Sequence, residues 1–199
     1  MKIIVNGEEI TVDTEDVRTF GELLDRVREE KGNLVVKKIV INDEEYSLTR
    51  LEEVKHLEIS DDMEIELELA PLKEFLLETI EEVLRYIERV KPLLGGVADA
   101  VIAGTSEGYR SINDLAEGLN AMENVRMNTI RITGISPKKL GLSVNEEHLV
   151  RILTDFVNAL QSKDLVKISD LIDGELKDVF AYYEEFFKKV EDLLKKEAS

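Results

Sequence analysis

The stretch Met63–Ile87, MEIELELAPLKEFLLETIEEVLRYI, changes its period in the middle. Before Ala70, Met63, Ile65, Leu67 and Leu69 alternate with Glu64, Glu66 and Glu68. A period of two sends successive side chains to opposite faces, so this segment reads as a strand with one face on a core and one in water. After Pro71, Leu72, Leu76, Ile80, Val83 and Ile87 recur every three or four residues, with Phe75 and Leu84 widening the stripe. That is the spacing of an amphipathic helix. Proline suits its first turn, where an N–H would have no helical partner anyway. The expected fold class is therefore α+β, with a β-rich domain over residues 1–70 and a helical domain over residues 71–199.

Upstream of this stretch, Lys2–Val5 is apolar and β-branched. It runs into Asn6-Gly7, the residue pair a type I′ hairpin turn favours because both positions need positive φ. Glu9–Asp13 reads as the returning strand. Thr19-Phe-Gly-Glu22 has the form of a capping box, and Phe20, Leu23, Leu24 and Val27 follow at helical spacing as far as Gly32. Leu34–Ile41 reads as a buried central strand, Asn42-Asp43 as a turn and Glu45–Leu48 as a short edge strand.

The segments MKIIVNGEEITVD (1–13), GELLDRVREE (21–30), KKIVIND (37–43) and ISDDMEIELELAP (59–71) resemble the bacterial sulfur-carrier and ubiquitin-like β-grasp proteins. The likeness covers Met1–Ala70 and implies a β-grasp fold. Carriers of that family act through a free C-terminal Gly-Gly. Here the last strand runs into Ala70-Pro71-Leu72, and the one Gly-Gly pair, Gly95-Gly96, is internal. The resemblance therefore implies the fold and not the carrier chemistry.

Downstream, the helix from Leu72 is expected to end at Pro92 and Gly95-Gly96. A helix over Val97–Ala103 and a long one over Gly108–Ile132 follow. Thr133–Asn145 is a long connection, and Ser143-Val-Asn-Glu146 reads as a capping box opening the next helix. From Leu165 a single helix is expected to run to about Lys195. Val97–Asn120 and Leu153–Leu176 match without a gap, pairing Asp99 with Asp155, Val101 with Val157, Ala103 with Ala159 and Ser106 with Ser162. The match goes on to pair Ile112 with Ile168, Asp114 with Asp170, Leu115 with Leu171 and Gly118 with Gly174. The expected architecture is an antiparallel bundle of four to five helices containing a repeated helical hairpin. Gly118 and Gly174 are expected inside helices, at close crossings.

Composition narrows the function. The chain has no cysteine, which excludes disulfides, thiolate metal sites and a cysteine nucleophile. A formal net charge of −17 disfavours nucleic acid and anionic membrane as partners, because their phosphates would be repelled. No apolar run approaches the roughly 20 residues that span a bilayer, and no apolar leader follows Met1, so a cytoplasmic protein is expected. The charged fraction, 35% and rich in Glu and Lys, leans towards a thermophile. No phosphate-binding loop, dinucleotide fingerprint or nucleophile elbow occurs, so no cofactor and no catalytic residues are assigned.

Four features remain as candidates. Glu53-Val-Lys-His56 has the Glu-x-x-His spacing of di-iron bundles, in a single copy, and His148 lies in the other predicted domain. Asp114, Glu117, Asp170 and Asp173 are repeated acids that would serve an alternative reading as a carboxylate–metal enzyme; no metal is assigned to them. The helix Gly108–Ile132 carries Asn113, Asn120, Asn124 and Asn128 with Met122 and Met127, a surface that could take a partner helix. Asn124–Asn145 holds Arg126, Arg131, Lys138 and Lys139 and no acid, the one sizeable basic block in an acidic chain. The expected function is a non-enzymatic binding or adaptor protein that docks a protein partner on the bundle through these four residues, with self-association left open. The acidic, Met- and Asn-dotted bundle is similar in architecture to the small helical chaperones of flagellar export, a likeness of fold and not of motif.

Overall fold

The computed structural model describes residues 1–32 and 34–196. They form an N-terminal mixed sheet with helices and a C-terminal all-helical region. The chain divides into two compact units, Met1–Leu76 and Leu77–Ser199.

The first unit contains β1 (Lys2–Val5), β2 (Glu8–Ile10), α1 (Phe20–Lys31), β3 (Leu34–Ile41), β4 (Glu44–Tyr46), α2 (Leu51–Val54) and β5 (Glu64–Pro71). Its five-stranded sheet has the order β2-β1-β5-β3-β4. β1 and β5 are parallel, and the other pairs are antiparallel. Asn6 and Gly7 turn the first hairpin at φ 53° and 81°. The capping box is present: Thr19 Oγ1 accepts from Glu22 N–H, and the Glu22 carboxylate accepts from the Thr19 backbone. Those two bonds satisfy helix-end donors that would otherwise face solvent. Ile65, Leu67 and Leu69 point into a core with Phe20, Leu23, Leu24 and Ile39, while Glu64, Glu66 and Glu68 stay exposed. β5, not β3, is the central strand. β2 and β4 are each three residues long, shorter than the sequence reading, which suits edge strands.

β1 stops at Val5 while β5 continues to Pro71, so the far end of β5 lacks a strand partner on that side. The Asn6 side chain takes that place, accepting from Leu69 N–H at 2.8 Å and donating to Leu69 O at 3.0 Å. Pro71, with no N–H to offer, ends the ladder.

α3 (Leu72–Val90) follows β5 directly, and the border between the units falls within its early turns. In the second unit come α4 (Leu94–Ile102), α5 (Ser106–Thr133), α6 (Pro137–Leu140), α7 (Glu146–Ser162), α8 (Leu165–Asp173) and α9 (Leu176–Lys196). α9 is the spine: Phe180, Tyr182, Tyr183, Phe186 and Phe187 are all fully buried. With Val179 and Val190 also fully buried, α9 is covered on a wider arc than one amphipathic face. No helix among the described residues is long and apolar enough to cross a membrane.

Several helix boundaries differ from expectation. Pro92 lies in a 3-10 turn over Lys91–Leu93 that leads straight into α4, so Gly95 and Gly96 belong to the first turn of α4 and do not stop a helix. The opening of a helix tolerates proline for the same reason Pro71 was read as a start signal. Asn145, not Ser143, caps α7, with Oδ1 accepting from His148 N–H at 2.7 Å. Gly174 is not inside a helix. It is exposed, at φ −104° and ψ −97°, and it separates α8 from α9. Gly118 is inside α5, where a Cβ would fall 1.7 Å from Tyr86 Oη.

The ungapped repeat holds over only half its length. Ile112 and Ile168, Leu115 and Leu171 are buried in both copies, and Asp114 and Asp170 are exposed in both. Upstream the copies fall out of phase, since Val101 is buried where Val157 is 47% exposed, and Ala103 is exposed where Ala159 is buried. The turns explain this. The first helix pair breaks at Ala103–Thr105, the second at Lys163–Asp164, which align with Glu107 and Gly108 inside α5. The copies therefore cannot be equivalent hairpins.

Candidate functional site

The connection from α5 to α7 is built by residues that fix its path. Gly134, at φ 67°, ends α5 and donates to Ile130 O. Pro137 opens α6, and Gly141, at φ 59°, closes it. At both ends glycine takes a left-handed conformation with little penalty. α9 then holds the connection from below. Lys189 Nζ donates to Leu140 O at 2.9 Å and Gly141 O at 2.8 Å, carbonyls left open by the end of α6. Glu185 accepts from Ser143 N–H at 2.8 Å and Oγ at 2.6 Å, and pairs with Lys189 at 2.7 Å. A cleft of about 500 Å³ lies between α6 and the start of α7, lined by Pro137, Lys138, Gly141, Leu142, Val144, Asn145, Glu146, Glu147 and Tyr182.

Lys189, and then the two Ser143 bonds, hold the Glu185 carboxyl down at about 2. A carboxylate depressed on folding stabilises the native state above its unfolded value, and that stabilisation is lost as pH falls through the folded one. The melting-temperature difference between wild type and Glu185→Gln is therefore expected to be constant above about pH 5 and to shrink towards pH 2. A difference independent of pH over that window would show that the carboxylate does not carry the tie.

Behind the cleft lies a buried polar node. Arg126 is 7% exposed. Its Nε and Nη2 grip the Glu123 carboxylate at 2.8 and 2.7 Å, and Nη1 reaches Glu146 at 2.9 Å and Tyr182 Oη at 3.3 Å. The guanidinium also lies 5.8 Å from the Tyr182 ring centre. Tyr183 Oη donates to Glu123 at 2.8 Å. The Glu123 hydrogen bonds raise the Arg126 pKa, while burial pushes both phenols up, so near neutral pH Arg126 is charged and the tyrosines are not. The node ties α5, α7 and α9 together.

Arg126 is thus not the surface cation expected from sequence, because it faces inward onto two carboxylates. Arg131, Lys138 and Lys139 are exposed. Arg131 donates to Asn128 Oδ1 at 3.1 Å, and none of the three has an ion pair among the described residues. The other candidates scatter. Glu53 pairs with Arg50 at 2.8 Å, and His56 is exposed just beyond α2. His148 sits between Asp178 at 3.3 Å and Arg151 at 3.2 Å. Asp114, Glu117, Asp170 and Asp173 are exposed, and Asp173 pairs with Lys177. The described residues contain no group of three or more His, Asp or Glu placed to hold a metal ion. The α5 asparagines lie on a wet face as read, but Met122 is core and only Met127 is exposed. Sequence reasoning missed Glu185 and Lys189, whose i,i+4 spacing on α9 was the available signal.

A mixed-sheet unit followed by a helical unit with a buried arginine node and a tied interhelix loop defines a two-part α+β protein. Residues 78–186 match the family model described as Domain of unknown function (DUF8042), and the chain belongs to that family. Residues 1–71 match the model of the TP0873 N-terminal domain, a match that ends where β5 gives way to α3. No curated protein and no solved structure matches the chain.

Proposed function

We propose that this is a non-enzymatic binding protein that docks a protein partner on its helical unit, at the α5–α7 connection. The observation that carries the reading is the anchoring of that connection by Lys189 and Glu185, which holds exposed Lys138 and Lys139 on a fixed frame. Functional contacts concentrate on loops that a rigid scaffold positions, and a loop already ordered before binding loses little entropy on capture. On this reading the first unit is a β-grasp module of the ubiquitin-like type and a separate folding unit. The sheet order and the parallel pairing of first and last strands support that reading.

Changing Arg131, Lys138 and Lys139 together to Gln is expected to leave the melting curve unchanged and to reduce partner capture from native cell extract, most at low salt. Arg126 is left out because its removal would disturb the node. Identical partner lists and amounts from both proteins would refute the docking site.

A further inference from the structure

We infer that the segment captured at the α5–α7 connection is an acidic peptide with an apolar anchor residue, which seats in the cleft between α6 and the start of α7. The inference rests on the docking reading above and adds the chemistry of the partner.

Charge is the first argument. The chain carries a formal −17, yet Arg131, Lys138 and Lys139 are exposed on or beside this connection without a carboxylate partner among the described residues. The two acids that flank the basic block, Glu123 and Glu146, are drawn onto buried Arg126. An acidic segment is therefore repelled by most of the molecule and attracted here, which favours this encounter over others.

The cleft is the second argument. It holds about 500 Å³ beside Lys138, with apolar walls from Pro137, Leu142 and Val144 and Tyr182 beneath. One large apolar side chain fits such walls, and Glu147, also in the lining, can accept backbone N–H groups of the segment. Inorganic phosphate gains nothing from apolar walls, whereas a peptide's apolar anchor does. A long nucleic acid would run past three cations onto a surface of opposite preference, so a peptide is favoured over a polyanion.

The experiment uses the full chain and four fluorescein-labelled probes read by anisotropy. They are an end-capped peptide of glutamate with leucine at every third position, its glutamate-only and lysine–leucine counterparts, and a single-stranded oligothymidylate. The glutamate–leucine peptide is expected to bind, weakening as salt rises, and to lose affinity roughly tenfold in Arg131→Gln, Lys138→Gln, Lys139→Gln. Val144→Asp, checked for an unchanged melting curve, should weaken this peptide more than the glutamate-only one. The lysine–leucine peptide is drawn to the rest of the acidic surface and should bind the triple variant at least as well as wild type. If the glutamate-only peptide or the oligonucleotide binds as well as the glutamate–leucine peptide, or if the triple variant binds it equally, the inference is overturned. A triple variant that loses partner capture from extract while no acidic peptide binds would overturn the chemistry alone and leave the docking site standing.

Discussion

Replacing Arg126 with alanine is expected to destabilise the helical unit by about 3 kcal/mol, a large fraction of the stability of a domain. Removing one member of a buried ion pair leaves its partner without compensation, at a typical cost of about 3–5 kcal/mol. Here the Glu123 and Glu146 side chains are 34% and 39% exposed, so water can reach them and the lower end of that range applies. The loss has three parts: the bidentate grip on Glu123, the bridge to the first turn of α7 and the guanidinium's contact with Tyr182. The measurement is thermal unfolding of wild type, Arg126→Ala, and Arg126→Met combined with Glu123→Gln and Glu146→Gln. The neutral combination should recover much of the loss, because apolar and uncharged replacements of a buried ionic cluster are often tolerated. An Arg126→Ala protein that melts with wild type would mean that the node contributes no stability.

The same residue shows where linear reading stops. Asn124–Asn145 is free of acids, and that count made Arg126 look like a docking cation. The stretch is bounded by Glu123 and Glu146, and those two side chains are the ones Arg126 holds. The first partner is three residues back on the same helix and was legible in principle. The second returns across the α5–α7 connection, and no local rule gives the path of a 12-residue loop between Thr133 and Glu146. In contrast, the first unit was legible almost element by element. Its signals are short-range: Asn6-Gly7 for the hairpin, Thr19 with Glu22 for the cap, and the alternation of β5. What escaped there was the short helix α2, the lengths of β2 and β4, and the central place of β5, the last set by which strands pair at long range.

The helical unit was legible in its faces but not in its breaks. Helical spacing continues through Gly174, so periodicity alone joins α8 to α9, while Gly95-Gly96 reads as a stop although both lie inside α4. Where a helix stops depends on the neighbour it must clear. The apparent repeat failed for the same reason: two amphipathic helices share composition and period, and their ungapped match cannot register that the turns come at different places.

Gly108→Ala is expected to be the most damaging conservative change in the second unit. Thr105 caps α5, its Oγ1 accepting from Gly108 N–H at 3.0 Å, while Thr105 N–H and Oγ1 both donate to Ala100 O at 3.3 and 3.1 Å. These bonds draw the start of α5 onto the end of α4. A Cβ on Gly108 would lie 2.3 Å from Ala100 O and 2.6 Å from its carbonyl carbon, an overlap with backbone that no rotamer change relieves. Overpacking typically costs about 1–3 kcal/mol and more when the obstacle is rigid. A loss of about 3 kcal/mol is expected here, or roughly 10 °C in melting temperature for a chain of this size. Gly118→Ala is the informative control. There the obstacle is the hydroxyl end of Tyr86, a half-buried side chain that can swing outward, and alanine gains about 1 kcal/mol of helix propensity, so a small net effect is expected. Melting curves of the two variants against wild type decide the matter. If Gly108→Ala melts no lower than Gly118→Ala, the α4–α5 turn is free to open and the contact of Gly108 with Ala100 is not a constraint on the fold.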